Sequence, residues 1–310
     1  MRRRTRRKHP RRRTRQRRKG GSVSPAFLES LHGALTDIFA GYHYLSKVKE
    51  EDIEIELYCE WEENENENDP SGPGNILLTL NPERVYVDLI RRCPTGPLTG
   101  SEIIRRIIQL GRRLSIPSVE LSDGSTVAFP PDHDDDPACT VSLADIQILT
   151  TAAHHSWYNS FGFRSSQYAE EVTHNTAIAN MSFITWIEWI AKSRRKTAMQ
   201  NAQRHLTIAR REGNSTEMNR FSRQLASIQG SPLEPWEEKV EDDIDAAFPE
   251  LKDQSEDLRI QDAARYMVSV IRVPHIDYKS LPVRCFVEAM RVIGLELLYN
   301  PMLTLTLSST

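Results

Sequence analysis

Thirteen cationic side chains stand within the first nineteen residues: Arg2, Arg3, Arg4, Arg6, Arg7, Lys8, Arg11, Arg12, Arg13, Arg15, Arg17, Arg18 and Lys19. No acidic residue lies among them. The chemistry such a run can do is phosphate binding. Each cation that meets a phosphate releases a condensed counterion, so affinity is high at low salt and falls steeply as salt is added. Nothing in the run has the geometry to read a base edge. The expected partner is therefore nucleic acid or another polyanion, bound without sequence preference. The same composition also serves as a nuclear import signal.

Other reactive side chains group less tellingly. Asp132-His133-Asp134-Asp135-Asp136 offers carboxylates and an imidazole but no further ligand at a metal-binding spacing, and predicts a solvated acidic loop. His154 and His155 are adjacent, so on a helix they point about 100° apart and cannot grip one ion. Cys59, Cys93, Cys139 and Cys285 are scattered, with no Cys-x-x-Cys pair, which predicts thiols in a reducing compartment. No metal site is expected.

These groups must be carried by something that folds. The 310 residues hold 40 basic and 43 acidic side chains, but the first 20 residues take 13 of the basic ones. The other 290 carry a net charge of −16, so a basic arm joins an acidic body. Residues 2–19 contain no large apolar side chain to bury, which predicts a disordered arm. No apolar run approaches the roughly 18 residues of a membrane span, and the basic start is not followed by the apolar stretch of a signal peptide. The expected setting is soluble and intracellular.

Ser24 as N-cap and Pro25 at the first helical position open a helix whose apolar face holds Leu28, Leu31, Leu35 and Ile38. Ile53, Ile55, Leu57 and Cys59 alternate with Glu54, Glu56, Tyr58 and Glu60, which predicts a strand with one acidic face. Strands are expected at 76–80 and 85–90, a helix at 101–114, a strand at 118–121, a loop over 123–137 and a helix from 143 to 160. Beyond about Asn180 the pattern is mostly helical. It includes a basic helix over 192–209 and a second helix, 217–228, folding back on it.

The order from residue 76, strand, strand, loop, helix, strand and helix, resembles the GCN5-related N-acetyltransferase (GNAT) fold. Ser156-Trp157-Tyr158-Asn159-Ser160-Phe161-Gly162-Phe163 is similar to that family's ending A-L-Y-E-x-x-G-F, and IIRRIIQLGRRLSIPSVEL over 103–121 is similar to its helix and following strand. The resemblance covers roughly residues 75–170. It implies an α/β (α+β) domain with a mixed central sheet flanked by helices, and acetyl-CoA as cofactor, although the residues alone fix none. The cofactor's pyrophosphate would meet Gly96, Thr99, Gly100 and Ser101 at a helix N-terminus, where backbone N–H groups and the helix dipole hold anions. It also implies that the Tyr158 hydroxyl protonates the departing CoA thiolate. A general base is less well specified: Asp88, His154 or His155. The chain departs from the family loop, Gln/Arg-x-x-Gly-x-Gly/Ala, at two places. Pro97 stands where Gln or Arg is usual, and Glu102 where a small residue is usual. The pairing of Asp123-Gly124-Ser125 with Cys139 and Ser156–Asn159 is also similar to uncharacterised proteins of large DNA viruses, which implies a nucleus, virus factory or virion.

The expected organisation is a disordered Arg-rich tail over 1–22, a GNAT-like domain over 23–175 and a mostly helical C-terminal region over 176–310. Three readings stay open. One is a nucleic-acid-associated, viral protein on an acetyltransferase-like domain whose catalysis is altered or lost. A second is an active acetyl-CoA-dependent N-acetyltransferase localised by its arm. The third is a structural or interaction protein that meets a protein partner through the C-terminal helices, with Trp186, Trp189 and Trp236 as candidate anchors, although the first two fit core packing better.

Overall fold

The structure is a computed structural model that describes residues 23–49, 51–58, 75–90, 98–129, 139–254, 257–272 and 280–307. The basic arm, the acidic run Asp132–Asp136, and Gly96 and Pro97 all lie outside the described residues. The described residues divide into two compact units, with the boundaries at 121/122 and 303/304.

The first unit opens with α1 (Pro25–Ile38). Ser24 is its N-cap, accepting the Phe27 N–H, and Leu31, Ala34, Leu35 and Ile38 are buried. Next come β1 (His43–Lys49), β2 (Asp52–Tyr58), β3 (Ile76–Asn81) and β4 (Arg84–Ile90), each antiparallel to the one before. Helix α2 (Gly100–Arg113) then crosses over to β5 (Ser118–Ser122), which lies parallel to β4. A helical crossover is what a parallel pair requires.

One sheet face is apolar. Ile53, Ile55, Leu57, Ile76, Leu78, Leu80 and Val85 are all at most 1% exposed. Helix α2 buries Ile103, Ile104, Ile107, Ile108 and Leu110, each adding roughly 1.5–3 kcal/mol of hydrophobic stabilisation. Arg106 donates through Nη1 to the Ile38 carbonyl at 2.6 Å and so satisfies the C-terminal end of α1.

The second unit continues with the two-stranded antiparallel pair β6 (Thr126–Phe129) and β7 (Cys139–Ser142). Helices α3 (Leu143–Thr150), α4 (Tyr168–Ala179), α5 (Phe183–Glu212), α6 (Ser215–Gly230), α7 (Glu234–Ala247), α8 (Ile260–Ile271) and α9 (Leu281–Ile293) follow. Their core includes Leu149, Phe183, Trp186, Ile190, Val240, Phe248, Met267, Phe286 and Met290. Trp186 is fully buried and donates through Nε1 to the Ala289 carbonyl, the core role its sequence context favours. Trp189 and Trp236 pack partly buried against the same core. Strand β8 (Met302–Thr306) completes a six-stranded sheet in the order β1-β2-β3-β4-β5-β8.

The chain is therefore mixed α+β. The expected single helix over 143–160 is not what forms: α3 stops at Thr150, and His154 sits at φ 49, in the left-handed region. A left-handed residue breaks a right-handed helix. A separate five-residue 3-10 helix, Trp157–Phe161, follows. The expected loop over 123–137 contains β6. No helix among the described residues is long and apolar enough to cross a membrane.

Candidate functional site

The expected cofactor residues sit at the start of α2. Thr99 is its N-cap, with Gly100 and Ser101 the first two helical residues. The Glu102 N–H donates to Thr99 Oγ1 at 3.3 Å, and Glu102 Oε2 accepts both the Thr99 N–H and the Thr99 hydroxyl at 2.7 Å. This is a reciprocal capping box. The hydrogen bonds from the Thr99 backbone and side chain hold the Glu102 carboxyl below its ordinary range, so it is ionised at neutral pH. A fixed negative charge already complements the positive end of the helix dipole, where a pyrophosphate would have to bind.

Tyr158 belongs to the second unit. The 3-10 helix that carries it is held at both ends by Asn159, whose Oδ1 accepts the Ser156 N–H at 2.8 Å and whose Nδ2 donates to the Phe163 carbonyl at 2.9 Å. Gly162 ends the turn at φ 95, a conformation suited to glycine. Phe163 is fully buried and meets the Tyr158 ring edge-on. Tyr158 is thus anchored by its ring, with the Ser125 side chain near its hydroxyl. Burial pushes the Tyr158 phenol up, the Ser125 side chain opposes the rise, and the Asp123 charge adds to it. The group is a protonated donor at neutral pH.

Around it lies a polar cluster that the family pattern only partly marked. Asp123 is 8% exposed. Its N–H donates to the Pro301 carbonyl at 2.8 Å, Oδ1 accepts the Ser125 N–H at 3.2 Å, and Oδ2 accepts the Tyr299 hydroxyl at 2.7 Å. The Tyr299 phenol is raised by burial first, then by the Asp123 charge and its hydrogen bond. The Ser156 hydroxyl lies beside Tyr299 and opposes that rise, yet it is fully buried without a hydrogen bond of normal geometry. Glu171, 4% exposed, accepts from the Ser165 hydroxyl at 2.7 Å and the Asn300 N–H at 3.0 Å. Burial pushes the Asp145 carboxyl up to about 6, the Ser142 hydrogen bond opposes this, and the Asp123 charge adds to it. None of these three carboxylates forms an ion pair among the described residues.

The three general-base candidates are placed as follows. Asp88, on β4 of the first unit, accepts from the Thr79 hydroxyl at 2.7 Å. His154 is buried with Nδ1 3.0 Å from the Ile148 carbonyl, and this contact fixes the turn after α3. His155 Nδ1 lies 2.9 Å from the Ser156 carbonyl. Among the described residues no group of three His, Cys, Asp or Glu side chains is placed to hold a metal ion. Cys285, buried, is a free thiol whose pKa is pushed up to about 11 by burial and by Asp243.

Comparison of the chain with protein-family models, with curated proteins and with solved structures returns no match. The residues that sequence reasoning missed at this site are Tyr299, Glu171 and Asp145. Tyr299 meets Asp123 and Glu171 meets Asn300 more than a hundred residues away along the chain, and a motif scan has no access to that.

Proposed function

We propose that this is a nucleic-acid-associated protein whose N-terminal arm binds phosphate backbones without sequence preference. It is built on an acetyltransferase-like framework in which cofactor chemistry is altered or lost, and the separate similarity of Asp123-Gly124-Ser125, Cys139 and Ser156–Asn159 to uncharacterised proteins of large DNA viruses supports a viral protein. The observation that carries the reading is the partition of charge, 13 cations and no acid in the first 20 residues against a net −16 in the remainder. The framework is supported by the antiparallel run β1–β4 leading through α2 to the parallel strand β5. The altered chemistry is supported by Glu102, whose carboxylate occupies the helix start that a pyrophosphate would need.

The test is the anisotropy of a labelled 20-nucleotide oligomer titrated with the full chain over a range of salt. The expected result is linear loss of log K with log salt, about 0.7 to 0.9 per phosphate neutralised, at similar affinity for unrelated sequences. Salt-independent binding, or none at low salt, would sink the reading. A second reading, an active N-acetyltransferase localised by the arm, is favoured by the protonated, partly buried Tyr158 hydroxyl. Saturable acetyl-CoA binding by the unmodified chain, persisting in high salt, would select it.

A further inference from the structure

Helices α5 and α6 fold back on each other through Gly213, in the left-handed conformation at φ 68, and Asn214, which caps α6 by accepting the Glu217 N–H. The pairing is antiparallel. Arg195, in the first half of α5, donates to the Ile228 and Gln229 carbonyls at the far end of α6, and His205 stacks on Phe221 at 5.0 Å. Ala202, Leu206 and Ala209 form the buried stripe of this part of α5.

The charge of this hairpin is opposite to that of its surroundings. Residues 192–230 hold nine Lys and Arg and only two acidic residues, Glu212 and Glu217, a net of +7. The rest of the body beyond residue 20 holds 18 basic and 41 acidic residues. Four of the nine cations are engaged. Arg194 pairs with Glu288 and Asp243, Lys192 with Glu188 and Arg220 with Glu217, while Arg195 holds the end of α6. The other five, Lys196, Arg204, Arg210, Arg211 and Arg223, are exposed and form no ion pair among the described residues.

Arg204 and Arg211 are seven residues apart, so they share a face two turns apart, and that face is opposite the buried stripe. A hairpin that needed only solubility would intersperse both signs, because like charges along one helix repel. From Lys196 to Arg211 the helix runs about 22 Å, the rise of roughly six phosphates along one strand of duplex. Four of the five free cations are arginines, whose planar fork matches a phosphate in a bidentate geometry. The outer surface lacks the broad apolar face that a membrane-lying helix would need, since Ile208 is its one large exposed hydrophobic.

We infer that the exposed Lys196, Arg204, Arg210, Arg211 and Arg223 of the α5–α6 hairpin form a second, structured surface that binds the phosphate backbone of nucleic acid. The inference rests on the reading that the chain associates with nucleic acid, and it adds a folded contact to the arm.

The experiment uses full-length protein in three forms: unaltered, with these five residues changed to Gln, and with the thirteen arm cations changed to Gln. Each is titrated with a labelled 20-nucleotide oligomer from 50 to 300 mM salt, alone and against polyglutamate of equal charge. The hairpin form is expected to lose at least about tenfold in affinity at the lower salt and to flatten the salt slope by about 3 to 4. The arm form is expected to keep residual, salt-sensitive binding. Photocrosslinking of the unaltered chain should label peptides within 196–223. A hairpin form with unaltered affinity and slope, and crosslinks confined to the arm, would overturn the inference and leave the arm reading intact. An arm form that binds as tightly as the unaltered chain would overturn the arm reading and leave the hairpin. Displacement by polyglutamate as effective as by unlabelled oligomer would overturn the phosphate assignment in favour of an acidic polypeptide.

Discussion

The Tyr299 hydroxyl donates to Asp123 Oδ2 at 2.7 Å, joining residues 176 positions apart. The contact ties the turn after β5 to the segment before β8, and the Asp123 N–H to Pro301 carbonyl bond runs alongside it. Tyr299→Phe should therefore cost about 1.5–3 kcal/mol, because the buried carboxylate loses a charge-assisted donor. In an Asp123→Asn background the same change should cost less. Urea denaturation of the four proteins measures the coupling, and additive costs would show that the bond carries no energy of its own.

Asp145 makes a pH prediction. Its carboxyl is pushed up to about 6 from an ordinary 3.8 by burial, with Asp123 adding to the rise. The folded protein therefore holds a proton that the unfolded chain has released, and stability from this group falls as pH rises from about 4 to about 6, then levels off. Asp145→Asn should remove that slope and raise stability at pH 7 by about 1–2 kcal/mol, a figure discounted for the exposed part of the group. At pH 3.5 the two proteins should melt together. A variant less stable at pH 7 would mean that the charge is compensated.

Glu102 tests the proposed loss of cofactor chemistry alongside the stability of α2. Glu102→Ala opens the capping box and should lower the melting temperature slightly. It also clears the negative charge from the start of α2. In a chain whose arm cations are replaced by Gln, calorimetry with acetyl-CoA should show weak or no heat before the change and stronger binding after it. Equal heats in both would separate the carboxylate from any cofactor site.

Gly111 lies where a Cβ would come 2.8 Å from Leu307 Cδ1 and 3.4 Å from Val119 Cγ2. Alanine favours a helix by about 1 kcal/mol over glycine, but here it must displace a buried leucine. Gly111→Ala should destabilise by about 1 kcal/mol alone and stabilise in a Leu307→Ala background. Thermal melts of the set give the signs.

The two strong periodicities were legible. The isoleucine stripe of α2 and the alternation of β2 are local patterns with buried faces, and both elements form where the sequence places them. Strand β1 was not legible, because six of its seven residues are exposed and it shows no alternation of apolar and polar positions. Helix α4 was missed because Glu171 and Asn175 occupy buried positions on its inner side, where a hydrophobic pattern would be expected. Both are satisfied by backbone groups near residues 298–300, so their burial makes sense only after folding. In the sequence the Tyr158 segment looks like the end of a long helix, because Leu143–Thr150 is helical and apolar. The break depends on the turn at His154, where the Trp157 N–H also finds Gln147 Oε1 at 2.6 Å.

The sheet has a consequence for synthesis. Strand β5 ends at Ser122, and the neighbour that covers its outer side, β8, begins 180 residues later at Met302. At a ribosomal pace of about 5–20 residues per second, that edge stands unpaired for roughly 10–35 s in every nascent chain. During that time its backbone is a template for any other extended strand, including the same strand of a neighbouring nascent chain. The helices of the second unit are made within this interval. A chain interrupted anywhere within them leaves β5 as an uncovered edge, so truncated products are expected to be taken up by chaperones or to aggregate.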